Sequence, residues 1–139
     1  MKQFQQKLNI RTRGRALYEI TDEVAALVDK AGIETGLCVV FCRHTSASLT
    51  IQENADPSVK VDILQWLERI APDGDASYVH DSEGPDDMAA HLRTMITRTS
   101  ETIPIVDGRL ALGTWQGLYL VEHRTSPHSR NLVVHISGE

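Results

Sequence analysis

The stretch that decides the fold is GLCVVFCRHTSASLTI, residues 36–51. Its first half, residues 36–43, is a nearly continuous apolar run rich in β-forming residues, which predicts a buried central strand. This strand delivers His44 at its carboxyl end. Residues 45–51 continue as strand or turn, and their small side chains let the backbone come close to another group. The rest of the chain should therefore pack around this strand.

The elements before the central strand follow from periodicity. Residues 2–12 alternate apolar and polar side chains, which predicts a half-buried strand. Residues 21–31 carry an apolar stripe at helical spacing. Thr21 and Asp22 offer capping oxygens and Gly32 offers a stop, so we expect a first helix there.

Two further helices are expected after the central strand. Asp56 and Pro57 form an N-cap acceptor followed by an N1 proline, and they predict a second helix over residues 57–70. Residues 71–85 are rich in glycine, proline and acidic side chains, which indicates an exposed loop. A third helix then opens at Pro85-Asp86-Asp87. Its expected apolar face consists of Met88, Leu92, Met95 and Ile96, and His91 should share this packed side.

The C-terminal half is predicted to consist mainly of strands. Residues 101–106 and 109–112 flank Asp107-Gly108, a dipeptide typical of type I′ hairpins. Residues 114–123 and 131–137 complete the set. Strands and helices alternate without a regular βαβ rhythm, so we expect a single compact α+β domain over residues 1–139. Its sheet should be largely antiparallel, with about three helices.

Composition excludes several classes of function. The chain has 139 residues, 41% of them hydrophobic, and a net charge of −5. This charge disfavours nucleic-acid and anionic-membrane partners, so any bound anion must be held by a local cluster. No apolar stretch is long enough to span a bilayer, and residues 1–7 lack the features of a signal peptide. We therefore expect a cytoplasmic protein.

The two cysteines fit a reducing compartment. Cys38 and Cys42 lie four residues apart in the expected central strand. That spacing separates their Cα atoms by about 13 Å, too far for a disulfide. We expect two small buried hydrophobic side chains.

Four of the six histidines are candidate metal ligands: His44, His80, His91 and His123. His80 adjoins Asp81 and His123 adjoins Glu122, and carboxylate neighbours can fix the tautomer that a divalent transition metal needs. The spacing of these histidines matches no local metal-binding signature. The alternative to a metal site is therefore that they are ordinary core or surface histidines with satisfied hydrogen bonds. His128 and His135 have no such features.

Two clusters could bind phosphate or another anion. Arg124 and Arg130 flank a serine-containing turn and could grip a phosphate, or they could be solvated at a strand end. Residues 45–56 place hydroxyls, including that of Ser46, before a helix start, together with Asn54 and Asp56. That segment could cradle an anion, or Asp56 could be only the helix cap.

Several motifs resemble one known family in order along nearly the whole chain. They are His44-Thr45-Ser46-Ala47-Ser48-Leu49-Thr50, Glu53-Asn54-Ala55-Asp56-Pro57, His80-Asp81-Ser82-Glu83-Gly84-Pro85-Asp86-Asp87-Met88 leading to His91, Gly113-Thr114-Trp115-Gln116-Gly117 and Glu122-His123-Arg124. They resemble the YjbQ-like family of secondary thiamine-phosphate synthases. Pro127-His128 departs from the family, in which Gly-Gly often precedes the serine.

The resemblance implies a compact α+β fold, a homotrimer with clefts at subunit boundaries, and a metal or anion held by the histidines. It also implies an activity that joins a pyrimidine-methyl diphosphate to a thiazole phosphate and releases pyrophosphate. On this hypothesis Arg124, Arg130 and Ser46 hold phosphate, and Glu122 is the general base or orients a ligand. A histidine cluster suits Zn²⁺ or a similar metal, whereas a diphosphate leaving group suits Mg²⁺.

Two other functions stay open at this point. One is a metal-dependent hydrolase of a small phosphorylated metabolite, with Glu122 or Asp56 as proton acceptor and Asn54 as a further catalytic candidate. The other is a non-catalytic protein that binds a metal or a metabolite. Ligand-dependent stabilisation without turnover would distinguish the binder from either enzyme.

Overall fold

The computed structural model describes all 139 residues as one domain with three helices and eight strands. The helices are α1 (Thr21–Ala31), α2 (Pro57–Ile70) and α3 (Asp87–Ile96). The strands are β1 (Lys2–Arg11), β2 (Ala16–Glu19), β3 (Gly36–Cys42), β4 (Ala47–Glu53), β5 (Ser100–Val106), β6 (Arg109–Leu110), β7 (Gln116–Glu122) and β8 (Ser129–Gly138). The α+β class and the three helices are confirmed. No helix has both the length and the apolar character needed to cross a membrane.

Two antiparallel sheets replace the single sheet that the sequence favoured. The larger sheet has the strand order β1-β8-β3-β5-β6, and the smaller has the order β2-β7-β4. β3 lies in the middle of the larger sheet, with β8 on one side and β5 on the other, as the apolar run predicted. Only one face of this strand is buried, however, because Leu37 and Phe41 are exposed. The short β2 was not predicted, because four residues carry too little alternation to indicate a strand.

The main core forms where the two sheets and α1 face each other. α1 contributes Val24, Leu27 and Val28, while Cys38, Val40 and Cys42 of β3 point inward. Both cysteines are free and buried, as expected, and burial raises the pKa of each thiol to about 11. Neither thiol is therefore poised for chemistry near neutral pH.

The start of α2 follows the sequence signals fully, whereas that of α1 follows them only in part. α2 begins as predicted, because the Asp56 carboxylate accepts a hydrogen bond from the Ser58 backbone N–H at 2.9 Å. α1 has the predicted bounds but no side-chain cap. The Thr21 hydroxyl instead donates to Glu19 and accepts from the Leu118 N–H, so it ties α1 to the smaller sheet.

α3 packs on a different face from the one predicted. Its buried side consists of Asp87, Ala89, Ala90 and Arg93, whereas Met95 and Ile96 are exposed. The small alanines allow close approach, and the buried Arg93 donates to the Ala71 carbonyl at 2.7 Å. Polar contacts with residues distant in sequence thus outweigh the apolar stripe, and they leave His91 partly exposed at the edge of the molecule.

The smaller sheet separates the sequence motifs into two groups. In its register Ala47 lies opposite Glu122 at one end, and Glu53 lies opposite Gln116 at the other. A strand of this length spans roughly 20 Å. Motifs that begin β4 and end β7 therefore lie together, and those that end β4 and begin β7 meet at the far end.

Candidate functional site

Three side chains that can bind a metal converge beside the N-terminal end of α3. His80, Asp87 and His91 each offer one ligand atom, and these atoms lie within 4.8 Å of one another. Asp87 Oδ2 lies 2.6 Å from His80 Nε2 and 3.3 Å from His91 Nε2. The side chains of His80 and His91 are 43% and 32% exposed, whereas that of Asp87 is 5% exposed. We call this group the His80–Asp87–His91 cluster.

Local structure accounts for the convergence. Asp87 and His91 are four residues apart on α3, so both side chains lie on the same face of the helix. His80 reaches them from the preceding loop. Gly84 has φ of +103°, and an added Cβ would come within 3.1 Å of Asp86 Oδ1. The turn that brings His80 back to α3 therefore requires glycine at position 84.

The hydrogen bonds of His91 test whether a cation fits this cluster. His91 Nδ1 lies 2.9 Å from the Thr45 carbonyl oxygen, so that nitrogen must donate. In the neutral ring, Nε2 then presents a lone pair to the Asp87 carboxylate, which is also an acceptor. Either a proton or a metal ion must lie between them. Two imidazoles and a carboxylate are a donor set typical of Zn²⁺ and related metals, so the residues fit such an ion.

Arg124 orients the carboxylate of the cluster. Its Nη1 donates to Asp87 Oδ1 at 2.8 Å, which leaves Oδ2 turned toward the histidines. Its Nε donates to Asp86 Oδ2 at 2.9 Å, and its Nη2 donates to the Glu83 carbonyl at 2.9 Å. One guanidinium thus fixes both the loop and the start of α3.

These contacts keep both aspartates ionised. Burial alone would raise the pKa of Asp87, but the hydrogen bond to His80 and the charge of Arg124 outweigh it and lower that pKa. Burial likewise opposes the hydrogen bonds that Asp86 accepts from Arg124 and Thr125, and the net result is a pKa of about 2 for Asp86. The Asp87 carboxylate is therefore available as a ligand across the physiological range.

The cluster faces solvent on the side of the loop. A depression of about 340 Å³ lies against His80 and is lined mainly by residues 74–85. Glu83 is mostly exposed, and its carboxylate lies 3.2 Å from His80 Nε2. A small molecule can therefore approach the cluster from the loop side.

The comparisons with known proteins agree with this architecture. The profile of a family described as "UPF0047 protein YjbQ-like" matches residues 6–139. The chain belongs to this family.

Its relatives and structural neighbours match over nearly their full length. The UPF0047 protein sll1880 of Synechocystis is 52% identical over 99% of this chain and 94% of its own length. The UPF0047 protein YjbQ of Escherichia coli is 39% identical over 98% and 99%, respectively. A YjbQ/UPF0047 crystal structure from Clostridium acetobutylicum is 38% identical with a TM-score of 0.87, covering 95% of this chain and 99% of that one. A hypothetical protein of Aeropyrum pernix has a TM-score of 0.89 at 30% identity, covering 98% and 99%.

His44 and His123, although predicted as ligands, are not part of the cluster. His44 Nε2 accepts the Asn131 backbone N–H at 2.8 Å, and burial together with the charge of Arg130 lowers the pKa of His44. His123 is buried, with Nε2 2.8 Å from the Ser48 hydroxyl. Burial, followed by the charge of Arg93, lowers its pKa to about 3.

Glu122 and Arg130 form a buried ion pair with each other and are not exposed to a substrate. Arg130 Nε donates to Glu122 Oε1 at 2.8 Å, and the Thr12 hydroxyl donates to the same oxygen at 2.7 Å. Burial alone would raise the pKa of Glu122, but these hydrogen bonds outweigh it and lower that pKa. A fully buried carboxylate with this many donors is a poor general base. We call Glu122, Arg130 and Thr12 the Glu122 network.

The predicted phosphate-binding groups are distributed differently from the expectation. Arg124 and Arg130 are both occupied by carboxylates. The Ser46 carbonyl accepts from Arg130 Nη2 at 3.3 Å, while the Ser46 hydroxyl has no partner in the protein. Of the predicted phosphate-binding residues, Ser46 alone therefore keeps a free polar group for a ligand.

Asn54 and Asp56 lie at the far end of the smaller sheet, beyond the end of β4. Asp56 is the cap of α2, the alternative that the sequence left open. Asn54 Nδ2 lies 3.4 Å from Glu19 Oε2, and its backbone N–H donates to the Trp115 carbonyl. These residues are about a strand length from the cluster and are not placed to serve it.

Sequence reasoning missed Asp87 as a ligand, because it was assigned to the favourable first turn of a helix. The signal was present: Asp87 precedes His91 by four residues, the spacing that puts two ligands on one helical face. Glu83 was also missed. Its position three residues after His80 carries no signal by itself, because the two side chains meet only where the loop folds back.

Proposed function

We propose that this protein is a metal-dependent enzyme that acts on a phosphorylated small molecule. One observation carries the proposal: the His80–Asp87–His91 cluster brings together two imidazoles and a carboxylate at a half-exposed position. The other candidate catalytic groups are either enclosed or distant. A divalent ion held there would supply positive charge for phosphate oxygens and for a departing oxyanion.

The chain's own residues have separable roles in this proposal. Arg124 fixes Asp87, and the Thr45 carbonyl fixes the His91 tautomer, so the ligand atoms are oriented before any ion binds. Glu83 is the exposed carboxylate nearest to the cluster. It is therefore the best placed group to accept a proton from a substrate that enters from the loop side.

The reaction we propose is the one that the family resemblance implies, thiamine-phosphate synthesis. A pyrimidine-methyl diphosphate would join a thiazole phosphate, with release of pyrophosphate. The relatives compared above carry only UPF0047 names, so the resemblance and the metal-binding donor set are the support for this reaction.

A second candidate is hydrolysis of a small phosphorylated metabolite. Two observations favour it. Imidazole-rich donor sets suit Zn²⁺, which more often assists hydrolysis than ionisation of a diphosphate. Arg124 and Arg130 are also occupied by internal carboxylates, which removes the expected diphosphate grip.

One assay separates these functions. Metal-stripped protein would be reloaded with Mg²⁺, Zn²⁺ or Mn²⁺ and incubated with both phosphorylated precursors or with generic phosphoesters. We expect thiamine phosphate from wild type and none from His91→Ala, with Asn54→Ala as the distant control. Release of inorganic phosphate alone would favour the hydrolase. Stoichiometric metal without any turnover would overturn the enzyme proposal and leave a metal-binding protein.

Two further expectations belong to this proposal. We propose a homotrimer, as the resemblance implies, and sedimentation velocity would test it. We also propose a cytoplasmic location, which the two free cysteines support because disulfides are rare in reducing compartments.

A further inference from the structure

A depression separate from the loop side opens between the end of β3 and α3. It has a volume of about 600 Å³. Its lining residues are Phe41, Cys42, Arg43, His44, Thr45, Ser46, Thr94 and Thr99. We call it the Arg43 depression. It contains one guanidinium, four hydroxyls and no carboxylate, although the chain as a whole has a net charge of −5.

Arg43 and three of the four hydroxyls of this depression lack partners within the protein. Arg43 is exposed, and its side chain forms no ion pair or hydrogen bond, in contrast to Arg124 and Arg130. The hydroxyls of Thr45, Ser46 and Thr99 also make no hydrogen bond to other residues. A free guanidinium beside several free hydroxyls is the chemistry that binds phosphate oxygens.

The Arg43 depression adjoins the His80–Asp87–His91 cluster through shared residues. Thr45 lines the depression, and its carbonyl accepts the hydrogen bond from His91 Nδ1. Thr94 also lines it, and its hydroxyl donates to the His91 carbonyl at 2.7 Å. One molecule can therefore contact the depression and the rim of the cluster together.

We propose that the Arg43 depression binds the phosphate group of a phosphorylated small molecule, with Arg43 as the charged anchor and Thr45, Ser46 and Thr99 as hydroxyl donors. Phe41 is 46% exposed and offers an apolar surface to the organic part of the same molecule. The inference deepens the proposed function, because it names the anion site that Arg124 and Arg130 do not provide.

Phosphate titration of metal-free protein tests this site. Inorganic phosphate and pyrophosphate would be added while the backbone amide resonances are followed by NMR. We expect the shifts to concentrate at residues 43–46, 94 and 99. Arg43→Gln should weaken binding about 10-fold or more, as expected when a charged hydrogen-bond donor is lost, and Arg43→Lys should restore part of it. Arg13→Gln is the matched control, since Arg13 is exposed and lines none of the depressions described above.

The outcomes are separable from those of the proposed function, because no metal is present in the titration. Equal phosphate affinity in wild type and Arg43→Gln would overturn the inference. So would shifts confined to residues 124–130, or the same loss of affinity in Arg13→Gln. Arg43→Gln removes no internal contact, so it should fold, and its unfolding transition would be measured alongside.

Discussion

The His80–Asp87–His91 cluster and the Glu122 network contain similar chemical groups, but they differ in burial and in hydrogen-bond pairing. In the Glu122 network the carboxylate is fully buried and accepts hydrogen bonds from Arg130, Thr12 and the Arg124 backbone. In the cluster the histidines are partly exposed, and His91 Nε2 faces an acceptor rather than a donor. The first arrangement has its hydrogen-bonding needs met, and the second does not.

This difference separates scaffold from site. Charges that are buried and fully paired cost stability when one partner is removed, but they offer nothing to a ligand. Side chains that are partly exposed and incompletely paired, such as the two histidines of the cluster, add little to stability and are free to bind. Mutations in the two regions should therefore have opposite signatures, on folding in one case and on metal binding in the other.

The largest expected effect is on stability, in the Glu122 network. Glu122→Ala leaves the Arg130 guanidinium buried without its carboxylate, and we expect a loss of about 3–5 kcal/mol in the free energy of unfolding. Urea denaturation followed by circular dichroism would measure it. Glu122→Gln keeps an acceptor and should lose less. A loss below about 1 kcal/mol for Glu122→Ala would contradict the assignment of this network as scaffold.

The next effect is a pH dependence that arises from His123. Its pKa is lowered to about 3 in the folded protein, whereas an unfolded histidine titrates near its ordinary value of about 6.5. As the pH falls, His123 is therefore protonated in the unfolded chain before it is protonated in the folded protein. The free energy of unfolding decreases between about pH 6.5 and pH 3. The expected slope is roughly 1 kcal/mol per pH unit.

Replacing the His123 imidazole tests whether this residue causes the pH dependence. His123→Gln keeps a group that can bond to the Ser48 hydroxyl but does not titrate. The slope between pH 6 and 4 should shrink by roughly 1 kcal/mol per pH unit relative to wild type. An unchanged slope would show that another group controls acid unfolding.

The smallest effect concerns Arg124, which orients Asp87 without itself being a ligand. Arg124→Lys keeps the charge but cannot bond to Asp86, Asp87 and the Glu83 carbonyl together. We expect a fall of about 10–100-fold in Zn²⁺ affinity, as found for residues that orient ligands. Competition with a chromophoric chelator would measure it, with Arg69→Lys on α2 as control. Equal Zn²⁺ affinities of wild type and Arg124→Lys would show that Arg124 does not orient the metal ligands.

The fold was largely predictable from sequence, because its signals are local. The apolar run of β3, the Asp56-Pro57 start of α2 and the Asp107-Gly108 turn each depend on residues within a few positions. The turn is confirmed by positive φ at both residues, +51° and +74°. The face of α3 was predicted wrongly, because its burial depends on contacts of Arg93 with Ala71 and Asp73, which are distant in sequence.

The site was predictable only in part. His80 and His91 were identified by type, but the grouping of ligands depends on how a loop returns to a helix, which no single spacing encodes. Glu122 and Arg130 were also identified by residue type, and in the structure they bind each other. Residue type therefore indicated which side chains could do chemistry, and only burial and pairing distinguished those that are free to do it.

Metal stoichiometry tests the central claim most directly. Metal-stripped wild type, His91→Ala and His44→Ala would each be titrated with Zn²⁺ and analysed by elemental analysis after dialysis. We predict about one Zn²⁺ per chain for wild type and His44→Ala, and little for His91→Ala, whose apo form should remain folded. Equal loss in His44→Ala, or no Zn²⁺ bound by wild type, would contradict the account.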